Sequence, residues 1–122
     1  MDLSDWNKKI YRNEDGSFVG GGLHAEELWE EFGIKSGPKF ERASWSHIPE
    51  RWAEDVRVFI REVQAELGDR VVFEQIKEKF CDLTVYCRCV DDYARKRLLE
   101  LKQECVERLI NKGVHPQTNR SK

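Results

Sequence analysis

The sequence predicts an α+β fold. Helices over residues 49–67 and 92–112 cover one face of a small antiparallel sheet built on a hairpin over 71–90. Three patterns carry this. Trp52, Val56, Phe59, Ile60, Val63 and Leu67 recur at helical spacing and make one continuous apolar stripe. Leu83, Val85, Cys87 and Cys89 alternate with Thr84, Tyr86 and Arg88, the period-two signature of a half-buried strand. Ala94, Leu98, Leu101, Cys105 and Leu109 then return to the helical period, and Leu99, Val106 and Ile110 widen that seam.

From the N-terminus, Lys9 to Arg12 and Ser17 to Val19 flank Asn13-Glu14-Asp15-Gly16; an Asp-Gly pair between short apolar runs predicts a hairpin. Gly20-Gly21-Gly22 interrupts regular structure. Ala25, Leu28, Trp29 and Phe32 share one face of a short helix over 24–32, with Gly33 placed as its left-handed C-terminal residue and Ile34 behind it. Ser36-Gly37-Pro38 marks a loop. Pro49 suits the first turn of the next helix, with Ser46 to Ile48 as its cap region, and Gly68 ends it. Val71 to Glu78 is rich in strand-forming residues, and the short Lys79-Phe80-Cys81-Asp82 link makes it an antiparallel partner of the strand that follows. Asp91 or Asp92 caps the last helix, which runs to Gly113. The chain reads as one domain in three parts: hairpin, loop and acidic helix over 1–45, an α-β-β-α scaffold over 46–113, and a flexible tail over 114–122.

Composition narrows the function. Of 122 residues, 36% are charged, well above the roughly 25% of an average domain, yet 11% are aromatic, enough to seed a core. A formal net charge of −2 argues against non-specific nucleic-acid binding, which needs a basic footprint. No apolar stretch approaches the ~18–20 residues of a membrane span. The first residues show no basic segment followed by an apolar one, so no signal peptide is expected. Cys81, Cys87, Cys89 and Cys105 are then expected as reduced, metal-free thiols of a cytoplasmic protein. A Cys-x-Cys pair on an extended strand gathers its sulfurs around one ion less well than the Cys-x₂₋₄-Cys turns of structural zinc sites.

Trp52 on its helix, then Gln75, Lys77, Glu78, Lys79, Phe80, Leu83 and Tyr86, then Cys105 late in the last helix, resemble a family of small phage and prophage proteins of uncharacterised activity. The family core reads Gln-Val-Lys-Glu-Lys-Phe-Gly-Gly-Leu-Arg-Phe-Tyr, and the resemblance spans about residues 46–116. The chain departs from it twice. The family's Gly-Gly is Cys81-Asp82 here, and the second Cys of its terminal Cys-x-x-Cys is Arg108, which breaks any metal knuckle that pattern implies.

The sequence offers four candidate chemistries. A metal site would draw on the four cysteines. Nucleophilic catalysis would need a Cys or Ser beside His24, His47 or His115, but no catalytic motif surrounds them. Glu26, Glu27, Glu30 and Glu31 form either a solvated face or, with Trp29, a recognition surface for a basic partner. Lys77, Lys79 and Arg88 are either ordinary paired surface charge or an anion site. The resulting expectation is a non-enzymatic protein without cofactor. The resemblance implies phage origin, and such proteins often block a host component, including CRISPR or other anti-phage defences. The partner is expected to be a host protein with a basic surface, engaged by residues 1–45. The alternatives are a protein sequestering a nucleotide signal, or a cryptic enzyme. The wide seam of the last helix also predicts a homodimer through residues 92–112.

Overall fold

A computed structural model describes residues 2–35 and 46–116. At its centre lies α3 (Glu50–Leu67), which buries the predicted stripe from Trp52 to Leu67. Beside it runs α4 (Asp92–Asn111), capped by the Asp91 carboxylate, which accepts the Ala94 N–H at 2.8 Å. Both helices pack one face of the predicted hairpin. That hairpin carries strands at Val71–Lys79 and Asp82–Cys89, with Glu74 forming a bulge between Phe73 and Gln75. Its two turn residues, Phe80 and Cys81, both take left-handed backbone (φ 52° and 64°), the geometry a tight hairpin needs. The fold is α+β, as the three patterns require.

The sheet itself is larger and differently paired from the one expected. It has four strands, in the order β1 (Leu23–His24), β2 (His47–Ile48), β3 (Val71–Lys79), β4 (Asp82–Cys89). Pairing of β1 with β2 and of β3 with β4 is antiparallel, but β2 runs parallel to β3 through His47 and Lys77, so the sheet is mixed. Two-residue strands have no period to detect; burial of Leu23 and Ile48 holds them in place. Gly22 is essential to that edge. A Cβ there, at φ 112°, would lie 2.2 Å from the Ile48 carbonyl oxygen.

Three further expectations are corrected. The segment expected as the first arm of an N-terminal hairpin is instead helix α1 (Leu3–Tyr11), whose N-terminus Asp2 caps by accepting the Asp5 N–H at 3.1 Å. Trp6 and Ile10, four residues apart, turn its inner face to the core, and helical burial outweighs the Asp-Gly signal. The tight turn survives, with Gly16 at φ 87°, but is followed only by a single bridge between Arg12 and Phe18. Pro49 is the N-cap of α3 rather than part of its first turn, because His47 and Ile48 belong to β2. The tail begins later than 114: Trp52 Nε1 donates to the Val114 carbonyl at 2.7 Å, and His115 is buried against the Trp52 ring. The seam of α4 is consumed within the chain, where Leu98, Leu101, Cys105, Val106 and Leu109 are buried and Leu99 alone among the seam residues stands well exposed. Most of the seam that predicts a dimer thus packs inside the chain, and Leu99 remains on its outer side.

Candidate functional site

Helix α2 (Ala25–Phe32) is short, yet it is fixed at both ends and along one side. The His24 N–H donates to Glu27 Oε1 at 2.9 Å, closing the N-terminus. Gly33 ends the helix in left-handed backbone (φ 71°), and the Ile34 N–H reaches back to the Leu28 carbonyl at 3.2 Å. Leu28 is wholly buried, and the Arg57 guanidinium of α3 grips Glu31 with paired bonds of 2.8 and 3.0 Å. That bond holds the Glu31 carboxyl below the usual carboxylate range.

The four glutamates expected to act together thus divide. Glu27 and Glu31 serve the fold. Glu26 and Glu30 stand exposed one turn apart, beside Trp29, which is itself 36% exposed. Trp29 and Glu30 lie three and four residues on from Glu26, so the three form one surface patch: an indole beside two carboxylates. The structure brings these three together and takes Glu27 and Glu31 out of the set.

The basic residues do not converge. Lys77 and Lys79 share a face of β3, with Lys77 Nζ 5.7 Å from the centre of the Tyr86 ring. Arg88 lies opposite Val72, four residues along β4 from Thr84, the partner of Lys77, or about 14 Å away at strand rise. It pairs with Glu74 at 3.2 Å. Arg88 does line a separate cleft of about 510 Å³ together with Lys35 and Gln64, but Asp69 and Glu74 share its walls and offset the charge.

One polar cluster lay outside the sequence reading. Tyr11 from α1 donates its hydroxyl to Glu78 Oε1 at 2.5 Å, while Glu78 Oε2 accepts the Cys81 N–H at 2.7 Å. The His47 ring stacks on Tyr11 at 5.8 Å, and His24 lies 4.9 Å from His47, ring centre to ring centre. Burial, reinforced by His24, pushes His47 below its ordinary pKa, so it is neutral at pH 7. Both oxygens of Glu78 are occupied in pinning α1 and the β3–β4 turn. The cluster is a polar clasp, with residues too far apart in sequence for any motif to mark them.

Three of the thiols, Cys81, Cys87 and Cys105, are poor nucleophiles. Burial drives Cys105 up to about 12, and it contacts the Asp55 carbonyl at 3.5 Å. Cys87, also up to about 12 through burial and its neighbour, lies 3.9 Å from Cys89, sulfur to sulfur. Cys81 is buried, and its thiol is also raised by desolvation. No group of three or more metal-ligating side chains assembles among the described residues. Arg108 binds the buried Asp55 carboxylate at 3.2 Å, with Lys112 at 2.6 Å on its other oxygen. An ion cluster joins the two helices there.

Compared with protein families, curated proteins and solved structures, the chain matches none. Among the described residues no helix is long and apolar enough to cross a membrane.

Proposed function

We propose that this chain is a phage- or prophage-encoded accessory protein that works by binding rather than catalysis, in the cytoplasm of a bacterial host. It inhibits a host protein with a basic surface, and a component of CRISPR or other anti-phage defence is the kind of target this implies. The observation that carries the binding role is the Glu26–Trp29–Glu30 patch. A tryptophan is the side chain most often found at the energetic centre of an interface, and flanking carboxylates steer a cationic partner toward it. Because α2 is anchored at both ends and by Arg57, little ordering entropy is lost on docking.

The test is capture from bacterial lysate by the wild-type chain and by the double variant Glu26→Lys, Glu30→Lys. Both positions are exposed, so the variant keeps the fold. The reading expects one principal captured protein, weaker binding as salt rises, and loss of capture by the variant. Equal capture by both chains, with equal salt dependence, refutes the patch. A thermal shift on adding cyclic or linear nucleotides, without protein capture, would instead favour the sequestering role.

A further inference from the structure

We infer that the cleft beside the first half of β3 binds a small zwitterion with an apolar side chain, a free amino acid or a dipeptide. The cleft follows from the shortness of β2. That strand pairs with β3 only through His47 and Lys77, so among the described residues no strand lies on that side of residues 71–74. The segment after α2 and the turn between α3 and β3 border the space that is left. It measures about 510 Å³. Small-molecule sites commonly run from about 300 to 1,000 Å³.

The walls are fixed before any ligand arrives. Ile34 is buried, and its N–H bonds the Leu28 carbonyl at 3.2 Å, which sets where Lys35 begins. Asp69 sits in the single turn Gly68–Arg70, and the Val71 N–H closes that turn onto the Gly68 carbonyl. Gln64 Nε2 donates to the Phe32 carbonyl at 3.0 Å, which leaves the amide oxygen to accept from a ligand. A preformed site loses little ordering entropy on binding.

The charges select the ligand. Lys35, Asp69, Glu74 and Arg88 all line the cleft, and Glu74 and Arg88 already pair with each other at 3.2 Å. Lys35 and Asp69 have no ion-pair or hydrogen-bond partner among the described residues. One ammonium and one carboxylate thus remain to be answered. A simple anion drawn to Lys35 is repelled by Asp69, and a simple cation meets the reverse. Only a molecule that carries both charges gains at both residues. Its carboxylate meets Lys35 and its ammonium meets Asp69, with the Gln64 amide oxygen as a further acceptor. Val72, 45% exposed, offers an apolar surface to the side chain of such a ligand.

The test is a titration of the whole chain with L-leucine and with leucyl-leucine, followed by calorimetry and by amide chemical shifts. Three analogues serve as controls: leucine amide lacks the carboxylate, isocaproate lacks the ammonium, and N-acetyl-leucine amide lacks both. At least one zwitterion should bind saturably, with shifts centred on Lys35, Asp69 and Val72, and each analogue should bind about tenfold more weakly or worse. Lys35→Ala and Asp69→Ala should each weaken binding about tenfold, and Lys35→Arg and Asp69→Glu should retain most of it. Both positions are exposed, so circular dichroism should be unchanged. Saturation by neither zwitterion at about 10 mM overturns the proposal. So do analogues that bind as tightly as the zwitterions, or an affinity indifferent to Lys35→Ala and Asp69→Ala.

Discussion

The unit from α3 to α4 and the region from α1 to α2 are held in the molecule by different means. The first is an apolar lamination. Trp52, Phe59, Ile60, Ile76, Leu83, Leu101 and Leu109 are wholly or almost wholly buried across its layers. The second contributes fewer core side chains, chiefly Ile10, Leu23, Leu28 and Ile34, and is tied down by polar side chains reaching to its backbone. Arg51 Nη1 donates to the carbonyls of Lys9 at 2.8 Å and Arg12 at 2.9 Å, and Gln64 Nε2 donates to that of Phe32 at 3.0 Å. Tyr11 and Glu31 add the ties to Glu78 and Arg57. Side-chain-to-backbone anchoring fixes the path of a segment without demanding that its own side chains face inward. That leaves Glu26 and Glu30 exposed beside Trp29. The region that presents the proposed binding patch is therefore the one with fewest buried side chains.

The largest way to break this contrast is Trp52→Ala. It opens a cavity in the lamination and releases Val114 and His115, and it should cost about 3–5 kcal/mol in urea denaturation. Tyr11→Phe acts on the other region. It removes one bond to a carboxylate and should cost about 1.5–3 kcal/mol, read in the same titration. A smaller effect separates the two by pH. His47 has a depressed pKa in the folded chain, so the unfolded chain binds its proton first as pH falls. Stability is then retained above the ordinary histidine value near 6.5 and declines below it. The melting temperature should drop between pH 7.5 and 5.5, and His47→Gln should shrink that drop.

The two regions were also unequally legible. The helices of Trp52 and Leu101 and the strand of Val85 were read correctly because each carries a repeating pattern longer than two turns or four residues. Helix α2 was legible too, since Gly33 marks its end with a residue type that left-handed backbone favours. Helix α1 is hidden because the Asp-Gly turn behind it is a strong local signal, while only Trp6, Ile10 and Tyr11 report its burial. Strands β1 and β2 are too short to have a period at all. In the candidate site, exposure of Glu26 and Glu30 could be expected from charge alone. The diversion of Glu31 to Arg57, 26 residues on, could not. Still less could the clasp between Tyr11 and Glu78, 67 residues apart, because only the tertiary fold brings α1 to the end of β3. Long-range polar contacts leave no periodic trace.

The contrast in anchoring is tested most directly by native-state hydrogen exchange, followed amide by amide through a series of low urea concentrations. Amides of α1 and α2 should exchange through an opening of lower free energy and smaller urea dependence than those of α3, β3 and α4, which should share the global unfolding free energy. Tyr11→Phe should lower the first opening while leaving the exposed area it reports unchanged. A single opening energy shared by all these elements, with Tyr11→Phe lowering every amide alike, would show that the two regions are one cooperative unit and would contradict the account.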